Sequence, residues 1–117
     1  MNTFTLFVYG TLKRGGVRHG PLESQRFVGE AKTRALYALH DLGSYPGMVI
    51  SEVGQVIEGE VYAVDSSLIP LLDQMEGAPS LFALAGVELE TGPAWAYLYR
   101  RDVEGRPLVA AGRWENG

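Results

Sequence analysis

The chain contains no cysteine among its 117 residues. This absence excludes disulfides, thiolate metal sites and a cysteine nucleophile, and it fits a reducing compartment. The two histidines, His19 and His40, are too few for a histidine-rich metal site, although a mixed site with carboxylates stays open. Composition gives no support for a bound metal or a cofactor, and we predict none.

The chain also lacks a basic excess and a long apolar run. Its formal net charge of −4 is not the electrostatic signature of a nucleic-acid-binding protein, so we expect no nucleic-acid partner. No apolar run approaches the about 18 residues that cross a membrane, and residues 1–4 lack the basic region of a secretory signal. These absences predict a cytoplasmic protein with no membrane partner.

The chain does contain enough apolar residues for one core. Hydrophobic residues make up 46% of it, and a chain of this length can bury a single core without disulfides. No internal repeat, low-complexity segment or linker divides the sequence. We expect one domain over residues 1–117, and the sequence leaves its oligomeric state open.

The clearest boundary between a predicted strand and a predicted loop lies near the N-terminus. Residues 3–9 are rich in β-formers and almost uncharged, which predicts a strand buried on both faces. Residues 10–20 include four glycines and predict a loop, whose backbone N–H groups can point at a ligand. The basic residues of this loop are Lys13, Arg14, Arg18 and His19. They more often form a solvated rim than a site that attracts an anionic substrate.

Further patterns predict strands and one helix. Strands are expected within residues 34–39, 48–50 and 55–65, and residues 82–90 and 93–101 predict an antiparallel hairpin. Residues 66–76 predict the main helix, with Ser66 or Ser67 as its N-terminal cap and Gly77 as a left-handed stop.

The periodicity of this helix makes Glu76 a candidate for proton transfer. Leu68, Leu72 and Glu76 lie on one stripe, so the carboxylate continues an apolar face. Burial and the negative end of the helix dipole would both raise the pKa of Glu76, as a proton shuttle near neutral pH requires. In the alternative, Glu76 turns out to solvent at a frayed helix end.

Other catalytic patterns are absent. No serine stands in a G-x-S-x-G context, and the loop after Tyr9 lacks the G-x-x-x-x-G-K-[ST] spacing of a phosphate loop. A reaction that needs neither a protein nucleophile nor a metal fits these residues best.

Five segments together resemble the γ-glutamylcyclotransferase-like family, also called AIG2-like. The segments are YGTLK (residues 9–13), GSYPG (43–47), GEVY (59–62), LDQMEGAP (72–79) and WAY (95–97). They span nearly the whole chain, and the similarity is greatest to the short branch that includes γ-glutamylamine cyclotransferases. The resemblance implies an α+β fold, with a small mixed barrel-like sheet of about six strands and one main helix. It also implies that the loop and the helix end face one cavity.

The same resemblance implies a reaction. An enzyme of this kind releases 5-oxoproline and a free amine from a γ-glutamyl amine or a γ-glutamyl-acyl compound. The substrate's own α-amine attacks its γ-carbonyl, so the nucleophile belongs to the substrate. Glu76 would act as general base and then as general acid.

The resemblance further implies a set of substrate-binding residues, which are Tyr9, Gly10, Thr11, Leu12, Tyr45 and Phe82. The backbone amides of residues 10–12 would bind the substrate's α-carboxylate or the developing oxyanion. Relatives usually carry Tyr and Arg where this chain has Phe82 and Leu84. This departure motivates an alternative, a non-catalytic small-molecule binding module that retains the cavity.

A third hypothesis comes from three aromatic residues on one face of the last predicted strand, Trp95, Tyr97 and Tyr99. Such a stripe ordinarily packs in the core. If it were exposed, it would suit an interaction protein instead.

Overall fold

The computed structural model describes residues 2–116, and these residues form an α+β fold with one α-helix and seven strands. The strands are β1 (Thr3–Val8), β2 (Arg26–Lys32), β3 (Tyr37–Asp41), β4 (Pro46–Ile50), β5 (Glu58–Asp65), β6 (Phe82–Leu89) and β7 (Gly92–Tyr99). The helix α1 covers Ile69–Glu76, and short 3-10 turns cover Gly20–Leu22 and Ser66–Leu68. The predicted fold class is confirmed. No helix among the described residues is long and apolar enough to cross a membrane.

Five strands form a mixed sheet in the order β2-β5-β1-β7-β6, while β3 and β4 form a separate antiparallel pair. The two edge strands of the larger sheet meet at one end, where the Arg34 N–H donates to the Glu88 carbonyl at 2.9 Å. The Glu90 N–H donates to the Lys32 carbonyl beside it, also at 2.9 Å. These bonds curve the sheet towards a barrel. The expected sheet of about six strands is therefore five curved strands and a separate pair.

Strand β1 runs through the middle of the larger sheet, antiparallel to β5 and parallel to β7. Successive side chains of a strand point to opposite faces. Phe7 accordingly packs in one core cluster, while Leu6 and Val8 pack in a second cluster with Leu72 of α1. The predicted burial of this strand on both faces is confirmed for its second half. The loop that follows β1 consequently starts between the central strands and the helix.

Helix α1 ends where the sequence predicts. Gly77 adopts a left-handed conformation with φ of 63°, which glycine tolerates at no steric cost, and makes Glu76 the last helical residue. The predicted cap at Ser66 or Ser67 is wrong. A 3-10 turn precedes the helix, and the Asp65 carboxylate caps that turn by accepting a hydrogen bond from the Ser67 N–H at 2.9 Å, whereas α1 itself begins without a side-chain cap.

The hairpin of β6 and β7 is confirmed, with Leu89 opposite Gly92 at its turn. The aromatic residues of β7 do not behave as one stripe. Tyr97 is buried, but Trp95 is 47% exposed, so packing in the core is wrong for Trp95.

Candidate active site

The end of β1, the loop after it and the end of α1 enclose a cavity of about 20 Å³. All seven residues that the sequence singles out line this cavity. They are Glu76, Tyr9, Gly10, Thr11, Leu12, Tyr45 and Phe82. The structure thus brings together residues from distant parts of the chain, and their chemical roles stay predictions. Arg18 and Tyr97, which the sequence does not assign to a site, also line it.

Glu76 is buried, with 7% of its surface exposed. It lies one turn after Leu72, which is fully buried on the same stripe, so the helix turns the carboxylate inward. Burial raises the pKa of Glu76, and the hydrogen bond and charge of Arg18 oppose that rise without cancelling it. The predicted direction is confirmed, and the alternative of a carboxylate turned out to solvent is wrong.

The partner of Glu76 is Arg18, whose Nη1 donates to Glu76 Oε2 at 2.8 Å. The Arg18 guanidinium also lies 5.2 Å from the centre of the Tyr45 ring. Assignment of the loop's basic residues to a solvated rim is therefore wrong for Arg18. No local signal could have found this contact, because 58 positions separate the two residues. Lys13 and Arg14 lie away from the cavity and contact the Trp114 carbonyl and Glu60.

The loop of residues 10–12 has its carbonyl groups occupied. The Gly10 carbonyl accepts from the Lys13 N–H at 3.0 Å and from Asn116 Nδ2 at 3.1 Å. The Thr11 carbonyl accepts from the Arg18 N–H at 3.0 Å, and the Leu12 carbonyl lies 2.8 Å from His19 Nδ1. These bonds fix the path of the loop at the cavity wall.

The N–H groups of the same three residues have no acceptor within residues 2–116. All three residues are buried, and buried N–H groups without a partner are rare in proteins. A polar ligand in the cavity would supply the missing acceptor, as oxygen atoms do at backbone anion sites. This geometry suits either a carboxylate or an oxyanion.

The remaining walls are aromatic and well fixed. The Tyr9 hydroxyl donates to the Tyr97 carbonyl at 2.6 Å and accepts from the Met48 N–H at 3.2 Å. Burial raises the pKa of Tyr9, so its phenol stays protonated. Phe82 is buried between the rings of Tyr45 and Tyr99, at centroid distances of 5.9 and 5.3 Å. Tyr45 is partly exposed, as expected for a residue at the mouth.

The departure at Leu84 lies outside the cavity, because Leu84 is not among the described lining residues and packs against the core cluster beneath it. Of the two positions that differ from the usual family pattern, Phe82 is thus the one that lines the cavity. It supplies an apolar ring without a hydrogen-bond donor.

Within residues 2–116, no group of three or more His, Cys, Asp or Glu side chains is placed to hold a metal ion. Among the described lining residues, Glu76 and Arg18 carry the formal charges. The arrangement can therefore move a proton and bind an anionic oxygen within a small aromatic-walled space.

Comparisons with known proteins agree with this geometry. A family model described as "Gamma-glutamyl cyclotransferase, AIG2-like" matches residues 6–116. A protein of Vibrio cholerae is 38% identical over 109 residues, which cover 93% of this chain and 93% of that protein. The human gamma-glutamylaminecyclotransferase is 38% identical over 85 residues, covering 66% of this chain and 56% of that protein.

Among solved structures, an AIG2-like protein from mouse has the same fold. Its TM-score is 0.83 at 22% identity, and the match covers 98% of this chain and 90% of that one. The family match extends over almost every element that builds the cavity, from β1 to the segment after β7. The chain therefore belongs to the AIG2-like gamma-glutamyl cyclotransferase family.

Proposed function

We propose that the protein releases 5-oxoproline and a free amine from a γ-glutamyl amine or a γ-glutamyl-acyl compound, with Glu76 as the proton shuttle. The observation that carries the proposal is the buried Glu76 carboxyl group, which lines one cavity together with residues 10–12, whose backbone N–H groups have no acceptor within residues 2–116. The family supports a cyclotransferase-type enzyme, and the name of the human relative points to γ-glutamyl amines.

The chemistry starts when the substrate's α-ammonium gives one proton to Glu76. The freed amine attacks the γ-carbonyl carbon, a new C–N bond closes the five-membered ring, and the carbonyl oxygen becomes an oxyanion. Glu76 donates its proton to the leaving nitrogen and takes the extra proton from the ring nitrogen. As the oxyanion collapses, the bond to the leaving nitrogen breaks, and the released amine takes the proton from Glu76 and leaves as an ammonium ion.

The rate of the proposed reaction depends mainly on the proximity of the two reacting groups. Holding the amine against the carbonyl in one molecule gives the advantage of an intramolecular attack, so the protein must select the folded-back conformer. Tyr9 and Phe82 supply rigid walls for that selection, and Tyr45 borders the entrance. The proposed reaction needs no cofactor, because the substrate supplies the nucleophile.

The N–H groups of residues 10–12 bind either the substrate's α-carboxylate or the oxyanion. Both are anionic oxygen groups that two or three preorganised donors stabilise. The raised pKa of Glu76 suits its role, since a carboxyl group that exchanges protons near neutral pH must be less acidic than an ordinary glutamate.

A second candidate is the binding module without turnover. The observation that favours it is Phe82, which lines the cavity without a hydrogen-bond donor. In this case the cavity would hold a small anionic ligand, and the carboxyl group of Glu76 would have no proton to move.

One experiment separates the two candidates. The protein is incubated with a panel of γ-glutamyl amines, 5-oxoproline release is followed, and ligand binding is measured by calorimetry. We expect Glu76→Gln to lower the rate about 100-fold or more, in the range that general acid and base groups contribute. The matched control is Glu88→Gln, which changes an exposed carboxylate and should leave the rate unchanged. Binding of several panel members without product from any of them would favour the module.

A further inference from the structure

The walls of the small, partly open cavity differ in how firmly they are buried. Tyr9 and Phe82 are almost completely buried, whereas the Arg18 side chain is 31% exposed at the edge of the site. Arg18 is the lining side chain with both charge and room to move.

The position of Arg18 conflicts with the role proposed for Glu76. A group that exchanges a proton with Glu76 must approach its carboxylate to about 3 Å. The Arg18 guanidinium already occupies that distance, at 2.8 Å from Oε2. The Glu76 side chain is only 9% exposed, so a second partner must reach its carboxylate from the cavity, beside the guanidinium. Substrate amine and guanidinium consequently compete for Glu76.

The backbone at Arg18 is anchored even though its side chain can move. The Arg18 N–H is bonded to the Thr11 carbonyl at 3.0 Å, and the next residue, His19, contacts the Leu12 carbonyl at 2.8 Å. A side chain that leaves Glu76 therefore stays within reach of the cavity.

We infer that Arg18 selects substrates with a free α-carboxylate, because it leaves Glu76 when the substrate's α-ammonium binds there and pairs with the neighbouring α-carboxylate. This inference rests on the proposed function. The γ-glutamyl head group carries an ammonium and a carboxylate on one carbon, which matches the adjacent charges of Glu76 and Arg18. One ion pair within the protein is exchanged for two with the ligand, so neither charge is left without a partner.

The exchange of ion pairs also indicates which substrate group the backbone N–H groups of residues 10–12 bind. If Arg18 takes the α-carboxylate, the amides of residues 10–12 are free to bind the oxyanion that forms on the γ-carbonyl. Arg18 is then a specificity-determining residue, and the loop provides the stabilisation of the transition state.

The test compares a γ-glutamyl amine with its α-carboxamide counterpart, which differs only in the charge of that group. In the native protein, kcat/KM should be about tenfold or more higher for the free carboxylate, the size of a charge-assisted hydrogen bond. In Arg18→Gln the two substrates should have kcat/KM values within about threefold of each other. Arg18→Lys should restore part of the preference for the free carboxylate. Opening of the cavity by the variant affects both substrates alike and cancels in the ratio.

A matched control is Arg14→Gln, which removes a cation of the same loop that contacts Glu60 away from the cavity. It should leave the ratio unchanged. An unchanged ratio in Arg18→Gln, with turnover intact, overturns the inference and leaves the proposed function standing.

The pH profile tests whether Arg18 leaves Glu76. The acid limb of kcat/KM reports the free protein, where Arg18 lowers the pKa of Glu76, and the limb of kcat reports the complex. Arg18→Gln should move the first limb to higher pH and leave the second in place. The other ionisable groups near Glu76 are Tyr9 and Tyr97, with Tyr45 on the same cavity wall and Asp73 bonded to the Tyr97 hydroxyl, and the variant replaces none of them. Movement of both limbs means that the pair persists in the complex and overturns the inference.

Binding separates this inference from the proposed function, because it needs no turnover. Calorimetry on Glu76→Gln, with and without Arg18→Gln, should show about tenfold or more selectivity for the free carboxylate only when Arg18 is present. If the native protein has no turnover but shows this selectivity, the proposed reaction fails and the role of Arg18 stands. Equal binding of both ligands to both variants overturns the role of Arg18.

Discussion

Replacement of Glu76 by glutamine should make the protein more stable at neutral pH while removing the proposed activity. The two side chains have nearly the same shape, so the change removes a negative charge from a site that is 7% exposed. Burial raises the pKa of Glu76 in the folded state, which means that the folded protein holds this proton more tightly than the unfolded chain. The ionised carboxylate therefore lowers the free energy of unfolding.

The sign and size of the effect follow from proton linkage. Glu76 begins to ionise in the unfolded chain near its ordinary pKa of 4.5 and in the folded protein only at higher pH. Between these two values the native protein loses stability relative to Glu76→Gln by up to about 1.4 kcal/mol per pH unit. Above the folded pKa the difference stays constant, and its plateau measures how far the pKa is raised.

The assay is urea unfolding of native protein and Glu76→Gln from about pH 4 to 8, followed by tryptophan fluorescence. Near pH 4 the native carboxyl group is protonated in both states and resembles the amide, so the two proteins should be similar in stability. Towards pH 8 the variant should be the more stable one. Glu88→Gln, at an exposed carboxylate, should show no such trend. The reasoning would be refuted if the difference in free energy of unfolding between the two proteins did not change with pH, or if the native protein became the more stable one as the pH rises. Either result would mean that the ion pair with Arg18 outweighs the cost of burial.

Two further predictions concern the supports of the cavity. A Cβ atom at Gly10 would lie 2.7 Å from Pro46 Cγ, so Gly10→Ala should displace the loop and lower kcat/KM about tenfold or more, as small misplacements of a site do. Gly86→Ala, where a Cβ meets nothing within 4 Å, is the control for kinetics and circular dichroism, and equal kinetics in both variants would contradict the prediction. Leu72→Ala should lower the free energy of unfolding by about 2 to 5 kcal/mol, measured in urea, because Leu72 is fully buried beneath the site. Leu71→Ala, at a position 44% exposed, should cost clearly less, and equal losses would refute the assignment of the helix face.

Local signals in the sequence predict the elements that carry the site. The apolar run before Gly10 predicts β1, and Gly77 predicts the end of α1, because both depend on side chains within a few positions. The turn at Thr91 and Gly92 likewise predicts the hairpin of β6 and β7. These three features place the loop at the end of β1 and Glu76 at the end of α1, whereas the meeting of the two in one cavity is implied only by the family resemblance.

Strand β2 shows why other elements escape such reasoning. Its residues, Arg26–Lys32, are mostly exposed or half-buried at the edge of the sheet, so the strand has no clear alternation of apolar side chains. Backbone bonds to β5 hold it, and a register shift between Phe27 and Gly29 disturbs its pattern further. The third strand begins at Tyr37 and not at Arg34, because Arg34 is used in the backbone contact with Glu88 that draws the sheet edges together.

The site itself depends on one contact that no pattern could reveal, the ion pair between Glu76 and Arg18. Periodicity predicts that a carboxylate turns inward, but an unpartnered buried carboxylate would strongly destabilise the fold. The chain offsets this cost with a cation from a loop 58 positions away, and that cation is exposed enough to leave. Glu76 thus has a charged partner that the substrate's ammonium can replace. The same burial that lowers the stability of the folded protein gives Glu76 the proton affinity that the proposed reaction requires.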